Sequence, residues 1–466
     1  MKTLLLFDEH SVAAASGVMF HLNTATKHPA NPVLLPGEPH HWDSLCVSWP
    51  GTVLYSPRDR KLRCWYTGMD VVQTKDRTWH TGYAESDDGI EWRKPELEQA
   101  EFLGRPTNQL EPAWKPYFLS TAFENPLPDA PPSQQFGGYW TETRFAGEAG
   151  NWGKSMWSKS LAWSPDGINW TRASTAYGEK PRAPFLDISQ LVHDPADPDP
   201  SFRWKAYGQI FVPRPDGSGW PGIRNIGLAH GSDAGRVEDA AKLVVLAPMA
   251  GVDEEVHFAA VQKIGDQYVM LFESDRFSKN PIHGDLRLAV SNDGKDFRRV
   301  HPQSTLVQTG PKGHWDENLL VTNTAGWLEF GDEIWIFYFG CPNIYNSWPA
   351  QYAVAPERRG SWFAPVYLGL ATLPRDRFAY ATGSGTLTTH SIQIETGELW
   401  LNADGADLPV TLLDDSERTV AQGALSGERR HGVYRKVNWP NRIPPGSYRA
   451  RVGLTNETRL FSLQYQ

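Results

Sequence analysis

The feature that most constrains this chain is one unit written five times. Each copy ends in a small apolar pair, a Ser/Asp/Gly turn and an aromatic residue. The clearest copies are Gly82–Trp92 and Ser160–Trp170. A degraded copy spans Ile226–Asp233, and Leu286–Phe297 is again regular. The most divergent is Leu368–Thr372 with Arg375–Phe378. A strand-like aromatic run precedes each turn: Leu62–Tyr66, Gly138–Thr141, Arg203–Tyr207, Gln267–Phe272 and Glu333–Tyr338. Alternating apolar and polar residues rich in aromatics read as strands. Most runs follow a polar turn with another strand before it. Each unit therefore reads as four strands, and repeats of this size spell the blades of a β-propeller. The expected fold is all-β, a five-bladed β-propeller with a C-terminal β-sandwich domain.

Composition bears on partners. The net charge of -9 argues against a nucleic acid, which would want a basic face. No apolar segment is long enough to span a membrane as a helix. Met1–Phe7 is apolar, but Asp8-Glu9 interrupts it after a run too short for a signal h-region. The expected location is the cytoplasm, or outside it (secreted or periplasmic) if a signal peptide has been removed. Three cysteines are too few for a disulfide framework. Cys46 and Cys64 fall on neighbouring expected strands and read as a bridge or as two buried thiols.

Residues 1–40 read as an N-terminal arm lying across the propeller, because Lys27–Leu34 is proline-broken and extended. Residues 41–382 read as the propeller. Its long loops, Asn125–Pro132 and Pro213–Gly222, belong at a mouth. From Gly383 to Gln466 short alternating runs separated by turns read as the sandwich.

In such a ring the first strand of each blade lines a central funnel, and its first residues meet at one mouth. Those openings read His40-His41-Trp42-Asp43, Phe185-Leu186-Asp187, Asp253-Glu254-Glu255-Val256-His257 and His314-Trp315-Asp316-Glu317. Blade two has Trp114-Lys115-Pro116-Tyr117 and no acid there. Four blades thus bring a carboxylate to the same mouth. Crowded carboxylates repel, so their pKa values separate and one can serve as acid beside an ionised other. That is the machinery of glycoside hydrolysis. Trp42 and Trp315 offer flat faces for a sugar or fill inter-blade core. Strand alternation lets only one of Glu254 and Glu255, and one of Asp316 and Glu317, face the funnel. Glu255 and Asp316 are favoured. His41, His257 and His314 read as neutral hydrogen-bonding groups that orient carboxylates or bind sugar hydroxyls; with the acids they also offer a metal site. No zinc-protease, phosphate-loop or nucleophile-elbow motif occurs.

The blade boxes, the Lys27–Leu34 arm, the Asp194–Pro200 turn before an Arg-Trp-Lys strand, and the C-terminal domain resemble bacterial glycoside hydrolases of the family 32 and family 43 superfamily. The resemblance covers nearly the whole chain. It implies cleavage of terminal, furanoside-type sugar residues from an oligo- or polysaccharide. It implies Asp43 as nucleophile or base, Asp187 as the transition-state-stabilising Asp and Glu255 as the acid. His41, Trp42, Glu254, His257, His314, Trp315, Asp316 and Glu317 would bind substrate. No cofactor is required, although the channel has room for a structural calcium. The family places its acids in blades one to three, whereas here blade two is empty. The Trp-Met-Asn-Asp-Pro-Asn-Gly motif and the Glu-Cys pair are absent. A catalytically silent glycan-binding propeller and, more weakly, a glycoside phosphorylase are the alternative readings. Sialidases share Asp boxes but have six blades and an arginine triad not assignable here.

Overall fold

The computed structural model describes residues 1–70, 79–144, 156–181, 187–213, 222–237, 243–276, 283–342, 365–405 and 408–466. Phe185, Leu186 and the body of the Pro213–Gly222 loop lie outside the described residues. Among the described residues the regular elements are β-strands and short 3-10 turns, so the chain is all-β.

Antiparallel sheets follow one another along the chain, and among the described residues the units called sheets four and five below join in one nine-stranded sheet. Sheet one holds Cys46–Ser56, Lys61–Met69, His80–Ser86, Trp92–Arg93 and Gln109–Leu110. Sheet two holds Phe118–Glu124, Phe136–Arg144, Met156–Ser164 and Thr171–Pro181. Sheet three holds Asp187–His193, Trp204–Val212, Ile223–Gly231 and Val244–Leu246. Sheet four holds Glu255–Ile264, Gln267–Arg276, His283–Ser291 and Arg298–Arg299. Sheet five holds Leu319–Thr322, Glu333–Cys341 and Tyr367–Pro374, and a single parallel bridge, Gly284 to Leu319, links it to sheet four. The first strands of successive sheets touch. The last sheet returns to the first: Thr324 N–H donates to Gly51 O (3.0 Å), and Val53 N–H to Asn323 Oδ1 (2.7 Å).

The turn boxes explain why the sheets lie against one another. In sheet one Gly89 N–H donates to Ser86 Oγ (2.8 Å), and Asp88 Oδ1 accepts from Ile90 and Glu91 N–H (2.9 Å each). The same pattern recurs at Ser164-Pro165-Asp166-Gly167 and Ser291-Asn292-Asp293-Gly294. Burial pushes these carboxyls up, but the backbone N–H donors outweigh it and hold Asp88, Asp166 and Asp293 below the ordinary value. The turns of sheets two, three and four each offer a carbonyl to the preceding sheet. Trp65 Nε1–H donates to Gly167 O (2.7 Å), Tyr139 O–H to Ala234 O (2.8 Å) and Tyr207 O–H to Gly294 O (2.7 Å). Gly167 has φ +78, and a Cβ there would lie 2.6 Å from the Trp65 ring. The aromatic run and the turn are therefore two halves of one inter-sheet latch.

The N-terminal segment does not form one arm. Lys2–Leu5, Ala14–Ser16 and Met19–Leu22 pair with Arg459–Tyr465, Gly385–Thr388 and Ala379–Thr382 of the C-terminal sheet. That sheet curls over one apolar core running from Leu6 and Val12 to Leu463 and Tyr465. Thr26–Lys27 instead forms the outer strand of sheet five, and His28, Val33 and Leu34 continue along the same edge, bonding Leu370 and Leu368. An edge strand needs a partner, and unpaired backbone at both units recruits the nearest extended segment. Cys46, Cys64 and Cys341 are buried thiols in no disulfide, and burial pushes the Cys46 and Cys64 thiols up.

Candidate functional site

The acids read from the sequence do not share one phase. Asp187 and Glu255 are the first residues of their strands. Asp43 and Asp316 lie in the loops before Cys46 and Leu319, where each closes a tight turn: Gly37 N–H donates to Asp43 O (3.3 Å) and Gly310 N–H to Asp316 O (2.8 Å). The offset decides their surroundings.

Asp43 is only 1% exposed. It accepts from Tyr66 O–H (2.7 Å) and pairs with Lys94 Nζ (2.5 Å). Trp42, 3% exposed, stacks on Tyr66 with centroids 5.9 Å apart and donates to Asn108 Oδ1 (2.7 Å). Sheet five repeats this assembly. Asp316 accepts from Tyr338 O–H (3.0 Å) and pairs with Lys27, while Trp315 stacks on Tyr338 at 5.7 Å. Burial and the facing carboxylate push both tyrosines up, so both remain donors. Trp42 and Asp316, expected to contact substrate, are both buried, Trp42 stacked on Tyr66 and Asp316 held by its own Tyr–Lys pair. Trp315 is half-buried and packs against the core between sheets four and five. His41 and His314 are exposed on the same turns, and Glu317 is half-buried, accepting from Gly313 N–H.

Sheets three and four behave differently. Asp187 pairs with Lys159 Nζ (3.0 Å), a fully buried cation that also bonds Ser120 Oγ and, at 2.6 Å, Thr141 Oγ1. Glu255 pairs with Arg224. In both cases the cation stands on the third strand of the preceding sheet and reaches the acid that opens the next first strand. Opposite Asp187, buried Gln209 keeps an Nε2 donor without an acceptor among the described residues. Glu254 is exposed and Glu255 buried, as alternation requires.

Behind Glu255 lies a cluster that the sequence reading missed. Glu273 and Asp275 are two apart on the second strand of sheet four, hence on one face, and Asp275 is the cross-strand partner of Glu255. A β-bulge between Val256 and Ala259 carries His257 into the same region, its Nδ1 lying 3.4 Å from Glu273 Oε2. His257 is thus buried among acids rather than open to a ligand at the mouth. Burial, then Asp275, push Glu273 well up; burial, with Glu255 adding to it against the opposing Arg224, pushes Asp275 up to about 8. The signal was legible: Glu273-Ser274-Asp275 interrupts an otherwise apolar strand. Lys159 and Arg224 carry no such signal, since their partners lie 28 and 31 residues away.

No protein-family profile matches the sequence, and no curated protein sequence matches it. Solved structures of glycoside-hydrolase type do superimpose on the chain. A β-1,2-mannobiose phosphorylase from Listeria innocua aligns at TM-score 0.48 and 10% identity, over 76% of this chain and 97% of that one. An N-acetylgalactosamine deacetylase from F. plautii aligns at 0.46 and 18%, over 76% and 96%. A Bombyx mori GH32 β-fructofuranosidase aligns at 0.41 and 11%, over 94% of each chain.

Proposed function

We propose that this protein cleaves glycosidic bonds at the mouth between sheets three and four, on a five-bladed propeller carrying a C-terminal sandwich. The observation that carries the reading is the matched pair Asp187 and Glu255. Each opens the first strand of its sheet, and each is fixed by a cation from the sheet before. A rigid scaffold that holds two carboxylates at one mouth can protonate a leaving oxygen with one and stabilise or attack the anomeric carbon with the other. Gln209 supplies a hydrogen-bond donor for a sugar hydroxyl beside Asp187. Asp43, the third acid of the family pattern, is assigned to the latch with Tyr66 and Lys94. The sugar is a terminal, furanoside-type residue.

The test is release of reducing sugar from a panel of pentofuranosides, fructosides and pyranosides. Glu255→Gln and Asp187→Asn should each lower kcat by about 10³-fold. Each should also remove one limb of the bell-shaped pH profile. Undiminished turnover in both variants would reject the pair.

A further inference from the structure

We propose that His257, Glu273 and Asp275 form a binding site for one divalent transition-metal ion of the zinc or manganese class. One ligand atom from each residue lies within 4.8 Å of the other two. Metal–ligand bonds of about 2.1 Å place neighbouring tetrahedral ligands about 3.4 Å apart. The His257 Nδ1 to Glu273 Oε2 edge, at 3.4 Å, already has that length. The other edges are no longer than 4.8 Å.

The acceptors also lack partners. Both carboxylate oxygens of Glu273 and Oδ1 of Asp275 are buried with no hydrogen-bond donor among the described residues. Two buried carboxylates side by side are costly unless a counter-charge or protons are supplied. The surrounding cations are engaged: Arg224 binds Glu255, and Arg299 grips Asp253 through both carboxylate oxygens at 2.7 and 3.2 Å. A divalent cation neutralises the remaining pair.

Backbone features keep the space open. The bulge at His257 and Phe258 turns the imidazole inward. Gly284 is required beside it, since a Cβ there would lie 2.3 Å from Asp275 Oδ1. One imidazole with two carboxylates suits zinc or manganese better than calcium, which takes six or more oxygen ligands. The site is therefore distinct in chemistry from a structural calcium in the channel, and it stands whether or not the protein cleaves sugars.

The experiment uses the full chain, stripped with a chelator and titrated calorimetrically with Zn²⁺, Mn²⁺ and Ca²⁺. One equivalent of Zn²⁺ or Mn²⁺ should bind, with Ca²⁺ at least about tenfold weaker. Glu273→Gln and His257→Gln should each weaken binding by about tenfold or more. Wild type needs no substitution for the second arm: its thermal midpoint should fall on stripping and recover on adding the ion. A midpoint that does not move, with no saturable binding, overturns the proposal and leaves a protonated carboxyl pair. Binding that survives both substitutions, or that favours Ca²⁺, overturns it too. Sugar release on the same samples is a separate readout, and zero turnover with full metal binding would reject the glycosidase reading alone.

Discussion

Sheets one and five differ from sheets three and four in how they use the acid at the entrance to the first strand. In sheets one and five the acid sits in the loop and folds inward onto a tyrosine hydroxyl and a lysine. In sheets three and four it is the first strand residue, and its partner comes from the neighbouring sheet. A shift of three residues converts a mouth carboxylate into a buried fastener. The lysines show how strongly the fastener is specified: Lys94 follows the sheet-one turn, whereas Lys27 arrives from the N-terminal segment, yet both complete the same Trp–Asp–Tyr–Lys assembly. An acid at an expected mouth is therefore a functional candidate only when its strand phase is known.

The largest effect should come from the fastener itself. Asp43→Ala and Asp316→Ala each leave a lysine and a tyrosine hydroxyl without their acceptor. Each should lower unfolding free energy by about 2 to 4 kcal/mol, the lower part of the range for a broken buried pair, since both lysines keep some water contact. Urea unfolding measures it, and turnover per folded molecule should stay near wild type. Collapse of turnover at unchanged stability would erase the distinction between the two pairs of sheets and return Asp43 to the chemistry.

The sequence carried what is local. Turn boxes are legible because the Ser, Asp and Gly that bond one another lie within a few residues. Their grip on the preceding sheet was readable only as a repeated aromatic run, since Trp65 meets Gly167 102 residues away. The acids at the entrances were found, but not their phase. Asp43 and Asp316 sit within loop turns whereas Asp187 and Glu255 open strands, and loop geometry has no period to count. The pairing of Lys2–Leu5 with Arg459–Tyr465 could not be read at all, because contacts between chain ends depend on closure of the whole fold.

Asp376 sharpens the comparison, being a buried acid without a lysine. It accepts from Tyr434 O–H (2.6 Å) across the junction between sheet five and the C-terminal sheet. Burial, with Glu329 adding to it, raises its pKa from 3.8 to about 6, against Tyr434 and Arg375. A raised carboxyl pKa means that the folded state holds the proton more tightly than the unfolded chain. Its contribution is complete below about pH 4 and is lost as pH rises through 6. The loss should reach about 3 kcal/mol by pH 8. Asp376→Asn should remove that slope, so the variant gains stability relative to wild type between pH 4 and 8. Parallel pH curves for the two proteins would show that the junction carboxyl is not strained.

The smallest effect separates regular from degraded turns. Asp166 Oδ1 accepts backbone N–H from Ile168 (2.9 Å) and Asn169 (2.7 Å), and the hydroxyl of Ser164 (3.0 Å). In the third copy Gly231 replaces that serine, and Asp233 Oδ1 accepts from Gly235 N–H (2.7 Å). Asp166→Ala should therefore cost about 1 to 2 kcal/mol, the usual value of a capping carboxylate. Asp233→Ala should cost about half of that. Both turns still present their carbonyls to the preceding sheet, Gly167 to Trp65 and Ala234 to Tyr139. Equal losses would thus assign the stabilisation to the inter-sheet bond, and a loss confined to Asp166 would assign it to the turn's own hydrogen bonds.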